Sequence, residues 1–254
     1  MTSVADAGET VAGGKSKEIP ALGKALSYGF YQFPLGLLIP PLTLMLPGFY
    51  AETMGVPLAL VGTISAATRL LHVVTDPLVG ALSDRTRSRF GRRLPWIGAG
   101  SLVAMLGVAL AFMPLVHSAS AGYLALCLLL IYTSTSLIQI PYYAWGAELP
   151  ATAHGRARML GWREVAGLSG MMLSSVAPLI ASLFGFSANG RQAMGVLAAA
   201  LLLVIPFAFA ILCTVGREAP PTAGDQAGRS VGKVLLEFWT AISTNLPYRR
   251  MLIG

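Results

Sequence analysis

Residues 69–96, RLLHVVTDPLVGALSDRTRSRFGRRLPW, join an apolar run to a basic cluster. Inside the apolar part stand Arg69, His72 and Asp76; at its end come Asp84 and then Arg85, Arg87, Arg89, Arg92 and Arg93. Positions 69, 72 and 76 share one face of a helix, because residues three and four apart are neighbours on its surface. Ionisable side chains in hydrocarbon are costly and turn toward a bundle interior or an aqueous cavity. Arginines massed where an apolar run stops are what a membrane span shows at its cytoplasmic end. The stretch therefore reads as a spanning helix with one polar face, followed by a short internal loop.

Composition agrees. Of 254 residues, 55% are hydrophobic and 11% charged, against about 25% charged in soluble domains. The net charge of +7 would suit nucleic acid, but its placement does not. The cations gather at Lys15, Lys17 and Lys24, at the five arginines of 85–93, at Arg156, Arg158 and Arg163, and at Arg217, Arg229, Lys233, Arg249 and Arg250; only Arg69 and Arg191 stand apart. That is a topology pattern, and no nucleic-acid partner is expected. Cys127 and Cys213 lie in apolar runs without a CxxC, so they read as small hydrophobes. Residues 1–23 lack an apolar core; they read as a disordered cytoplasmic tail with no cleavable signal peptide.

A span needs about 20 mainly apolar residues. Six such runs occur, at about 25–50, 58–83, 95–115, 121–148, 158–184 and 192–216. Loops near 50–57, 116–120 and 185–191 are almost free of Lys and Arg, whereas those near 84–94 and 149–157 are rich in them. The alternation predicts a cytoplasmic N-terminus. The fold class expected is an all-α membrane protein: a six-helix transmembrane bundle over 24–216, a cytoplasmic loop over 217–248, and the start of a seventh span at 249–254. Within the loop, Val234, Leu235, Phe238 and Ile242 share a face, so residues 231–243 read as an amphipathic helix on the membrane surface. Pro34, Pro40, Pro41 and Pro47 punctuate the first span, and GLSGMMLSS (167–175) is rich in small residues. These features fit close helix packing or helices that bend and rock in a transporter.

The face of Arg69, His72 and Asp76 reads either as a solute or coupling-ion site or as a structural network between helices. A second polar set comprises Gln139, Tyr142, Tyr143, Trp145 and Glu148, then Arg163 and Glu164, with Tyr31 from the first span. Planar polar groups beside aromatic faces suit a sugar; an amphipathic lipid would also fit, and the aromatics alone could be interfacial anchors. No nucleophile–base pair, metal cluster or phosphate-binding glycine loop is evident, so neither an enzyme nor ATP-driven transport is expected.

The string DPLVGALSDRTRSRFGRRLPW (76–96), with SYGF (27–30) and IPYYAWGAEL (140–149), resembles the glycoside–pentoside–hexuronide:cation symporter family of the major facilitator superfamily, in its melibiose-permease-like form. The resemblance implies an N-terminal six-helix bundle, a missing C-terminal six-helix half as partner, and a location in the plasma or inner membrane. It implies cation-coupled movement of a small sugar or glycoside solute by alternating access, with no cofactor. It assigns gate roles to Gly80, Asp84, Arg85, Arg89, Gly91, Arg92 and Arg93, together with Glu148 and Arg156. Independently of the family, Asp84 ends the second span, the arginines pin the loop, Gly80 permits close packing and Gly91 a tight turn. Departures matter as well. The family's acidic pair in helix two falls on His72 and Asp76; its sugar-binding aspartates of helices one and four fall near Gly36 and on Gln139; an arginine of helix five matches Arg163. Sodium wants several oxygen ligands, whereas a His–Asp pair suits protons. The expectation is H⁺ coupling at Asp76 and His72, with solute contacts from Gln139, Tyr142, Arg163, Tyr31 and Arg69. The alternatives are an amphipathic lipid-like solute and a half-transporter acting as a binding or scaffold subunit.

Overall fold

The structure is a computed structural model that describes residues 22–70, 72–86, 88–150, 152–183 and 190–215. The tail, Arg87, most of the loop at 185–191, the central loop with its expected amphipathic helix, and the start of the seventh span lie outside the described residues.

All regular structure among the described residues is helical. Six helices fall on the six expected spans: α1 (Leu22–Thr53), α2 (Leu58–Arg85), α3 (Leu94–Phe112), α4 (Ala121–Glu148), α5 (Ala153–Leu183) and α6 (Arg191–Cys213). Five of them, all but α5, are long and apolar enough to cross a membrane. The shortest, α3, has 19 residues, or about 29 Å at about 1.5 Å per residue, close to the hydrocarbon thickness of about 30 Å. The 31-residue α5 carries Arg156, Arg158, Arg163 and Glu164 in its first turns, and its apolar half begins at Val165. The chain is an integral, multi-pass membrane protein.

The prolines of α1 do not break it. Proline lacks an N–H and crowds the preceding turn, and here the ladder widens to i→i+5 over Pro41–Met45 and Phe49–Thr53. The Leu46 N–H donates to the Pro41 carbonyl, and the Met54 N–H to that of Phe49 at 3.2 Å. The punctuation expected at these prolines is thus a pair of bulged turns inside one continuous helix.

Helix α1 packs on α5, α3 lies between α4 and α6, and α2 leans on α4. The α1–α5 seam is set by glycines. A Cβ at Gly36 would strike the Gly167 carbonyl oxygen, and one at Gly170 the Phe33 carbonyl oxygen, so the two backbones touch as small residues allow. At the end away from the arginine loop, Arg191 ties the bundle together. It donates to the carbonyls of Pro114 (3.2 Å), Val116 (3.0 Å) and His117 (3.5 Å), and its Nη2 lies 3.5 Å from Met54 Sδ. Of the five span-length apolar helices, α1 is the most buried within this bundle and α2 the least.

Candidate solute and coupling site

The centre of α2 meets α4 through side-chain polar contacts. His72 Nδ1 lies 3.3 Å from Asp76 Oδ1 and 2.8 Å from Ser136 Oγ, and Ser136 Oγ lies 3.3 Å from Thr75 Oγ1. The helical i, i+4 spacing brings His72 and Asp76 together, and the α2–α4 crossing adds the serine. Both side chains stay partly open, at 27% for His72 and 38% for Asp76. Serine and aspartate share one imidazole nitrogen here. In a hydrolytic triad they occupy opposite nitrogens, so that a proton passes across the ring; this arrangement has no such relay. It can hold a proton or a small cation between a carboxylate, an imidazole and hydroxyl oxygens. One turn away, Arg69 Nε donates to Tyr132 Oη at 3.0 Å, and the His72 ring sits edge-on to Tyr132 with centroids 5.5 Å apart.

The second polar set divides. Arg163 lies over the Tyr143 ring at 4.3 Å and donates to Glu164 Oε1 from Nε at 3.1 Å and from Nη2 at 2.5 Å. Gln32 of α1 reaches Tyr143 Oη at 3.5 Å through its amide nitrogen. Its buried amide oxygen has no partner among the described residues. Gln139 is half-buried on α4 with no hydrogen-bond partner among the described residues. Gln32, Tyr143 and Arg163 thus form one patch across α1, α4 and α5. Sequence reasoning missed Gln32; its only signal was an amide between Tyr31 and Phe33 in an apolar run.

Tyr142 and Tyr31 face inward instead. The Tyr142 hydroxyl donates to the Tyr28 carbonyl at 2.7 Å, the Tyr28 hydroxyl donates to the Tyr142 carbonyl at 2.9 Å, and the rings stack at 4.5 Å. Tyr31 Oη lies 2.7 Å from Ser101 Oγ. Both rings are buried, and their hydroxyls are occupied in joining α1 to α4 and α3. Trp145 is likewise part of the core, not an interfacial anchor.

At the arginine end, three helices meet through charge. Arg93, 3% exposed, donates from Nη2 to Glu148 Oε1 at 2.6 Å and to Asp84 Oδ1 at 3.3 Å. Arg92 Nη2 forks onto Glu148 at 3.0 and 2.9 Å. Trp96 Nε1 donates to Thr86 Oγ1 at 2.8 Å. Gly91 turns the chain with φ +107°, a conformation open chiefly to glycine. Arg85, Arg89 and Arg156 are exposed, and none is ion-paired among the described residues. Arg89 lies over the Phe90 ring. The network so described is Asp84, Arg92, Arg93 and Glu148, without the other three arginines. Gly80 has room: a Cβ there would meet Ile140 Cγ2 at 3.6 Å, an ordinary contact, so close packing is not what this position requires.

Residues 27–254 match the family described as MFS/sugar transport protein. The chain belongs to this family. Among curated members of similar sequence is the inner membrane symporter YicJ of Escherichia coli K12, 29% identical over 210 residues, which cover 81% of this chain and 46% of YicJ. The putative glycoside/cation symporter YagG of the same strain is 27% identical over 217 residues, 83% of this chain and 46% of YagG. A putative sulfoquinovose importer of Salmonella typhimurium LT2 is 29% identical over 164 residues, 61% of this chain and 34% of the importer. The chain spans about half the length of the first two relatives. As an MFS-type chain, it carries its matched segment through all six helices and both polar patches described above.

Proposed function

We propose that this chain supplies the N-terminal bundle of a proton-coupled symporter for a sugar-type solute. Asp76 and His72 carry the coupling proton, and Gln32, Gln139, Tyr143 and Arg163 contact the solute. The observation that carries the reading is the His72–Asp76–Ser136 cluster at mid-length of a membrane helix, where an ionisable pair is costly and marks a functional site by default. Similarity to a putative glycoside/cation symporter and a putative sulfoquinovose importer supports a sugar-type cargo. The Asp84–Arg93–Glu148 network would close the cytoplasmic side in one access state and part in the other as the two halves rock.

Thr75 and Ser136 favour a second reading. The Ser136 hydroxyl lies against His72, and that of Thr75 against Ser136; oxygen donors on this face suit Na⁺ better than a bare His–Asp pair does. Uptake of a radiolabelled sugar by the full-length protein in proteoliposomes separates the two. An imposed pH gradient should drive accumulation while a Na⁺ gradient leaves it unchanged. Accumulation that follows Na⁺ and ignores pH assigns the site to Na⁺, and indifference to both removes coupling altogether.

A further inference from the structure

We infer that Tyr132 is a positioning residue for the His72 ring: it holds the imidazole with Nδ1 turned to Asp76 and Ser136, and it is itself held by Arg69. The inference rests on the reading of His72 and Asp76 as the coupling pair. Three contacts carry it. The Tyr132 hydroxyl accepts from Arg69 Nε at 3.0 Å. The guanidinium carbon stands 5.9 Å from the Tyr132 ring centroid. The His72 ring meets the same ring at 5.5 Å between centroids, the two planes 85° apart. One half-buried side chain of α4 thus touches both Arg69 and His72.

Helical spacing brings this about. Tyr132 and Ser136 are four apart on α4, and Arg69 and His72 three apart on α2, so each pair shares a face. The crossing makes a ladder of two rungs, Arg69 on Tyr132 and His72 on Ser136, with the imidazole also against Tyr132. His72 needs such a hold. Asp76 and Ser136 both approach Nδ1, at 3.3 and 2.8 Å, and Nε2 has no hydrogen bond among the described residues. Contacts at one nitrogen leave the far side of the ring unfixed, and the last torsion of a histidine is broad. An edge-to-face aromatic neighbour narrows it. An ionised carboxylate can only accept, so Asp76 in that form calls for the tautomer with its hydrogen on Nδ1. A ring free to turn would offer either nitrogen. Arg69 serves Tyr132 in the same way, because a phenol tied through its oxygen cannot swing away from α2. The charged or titratable groups around His72 among the described residues are Asp76 and Arg69 on α2, and Tyr132 on α4, the helix packed against this part of α2.

Solid-state ¹⁵N spectra of histidine-labelled full-length protein in liposomes test this without any solute. His72 is identified by the resonances that His72→Gln removes. At alkaline pH its ring should show a single tautomer, with two widely separated nitrogen shifts. In Tyr132→Leu those shifts should draw together toward the average of an imidazole that keeps its proton on either nitrogen. Tyr132→Phe retains the ring face and loses the tie to Arg69, and should give a smaller convergence. Tyr132→Met, close in length, replaces the leucine variant if that one melts early in detergent. In the pH-driven uptake assay above, Tyr132→Leu should lower accumulation by about tenfold, the span of a lost charge-assisted hydrogen bond. Added to His72→Gln it should cost nothing further, since no ring is left to orient. Unchanged His72 shifts in the leucine and methionine variants, or a loss from Tyr132→Leu that is equal with and without His72, overturns the inference and makes Tyr132 a packing residue, while the coupling reading stands. Accumulation by the unaltered protein that ignores the pH gradient removes the coupling reading and the inference with it; a single His72 tautomer in the spectra then tells that failure from the first.

Discussion

Asparagine at position 76 would keep the size of the side chain and lose its charge, leaving His72 with a neutral neighbour. In the full-length protein, Asp76→Asn should abolish accumulation against a gradient and leave solute exchange partly intact, since exchange needs no net proton movement. His72→Asp should shift the site toward Na⁺, which proteoliposome uptake under each gradient reads directly. At Gly91 the effect is on stability. Its φ of +107° strains any residue with a Cβ, so Gly91→Ala should destabilise by about 1–2 kcal/mol, seen as a lower melting temperature in detergent. His72 and Asp76 were legible as a pair because charge is rare in an apolar run and their spacing is helical. Ser136 was not. A serine within a helix usually bonds back to its own backbone, as Ser134 does to Ile131 and Thr135 to Tyr132. Nothing in the order of residues says that Ser136 reaches across to His72 instead.

Between elements, the α1–α5 seam and the α2–α4 contact respond differently to added bulk. Gly36→Val places its branches where the Gly167 carbonyl already stands; it should force the helices apart and cost roughly 1–3 kcal/mol or more. Gly80→Ala meets only Ile140 at ordinary distance and should leave the melting temperature within about 1 °C of the unaltered protein, a surface-like change of under about 0.5 kcal/mol. A reversed order of the two effects would contradict the packing described. The helices themselves were legible from hydropathy, and the small residues near 167–175 marked a close-packed face. The partner of that face was not legible, because the glycine at position 36 gains its meaning from what lies opposite in space. Tyr31 and Tyr142 escaped for a related reason. A helix in lipid is apolar all round, so its sequence loses the contrast that tells a core-facing ring from a cavity-facing one.

Across the whole bundle, Asp84, Arg92, Arg93 and Glu148 bind α2, the following loop, α3 and α4 at one end, while Arg191 binds three carbonyls at the other. Asp84→Asn and Arg92→Ala should lower transport rates more than protein levels; unchanged uptake at normal abundance would reduce the cluster to a topology signal. Orientation is open to labelling. In a Cys213→Ser background, which removes the exposed native thiol, an impermeant maleimide added outside should reach a cysteine at exposed Ser118 and not one at exposed Ser88. The opposite result would invert the assigned sidedness. The alternation of arginine-rich and arginine-poor loops is what predicts this sidedness. Which arginines bind carboxylates was not legible, because the cations of this loop look alike until the fold gives Arg92 and Arg93 acidic neighbours.

The contact of Gly36 with Gly167 also gives the molecule a fixed ruler. With no side chain between the two backbones, there is no slack for α1 to slide or tilt against α5. Spin labels placed on these helices should report one narrow distance whatever solute, ion or membrane potential is applied. Any broadening measured elsewhere in the protein can be calibrated against that pair.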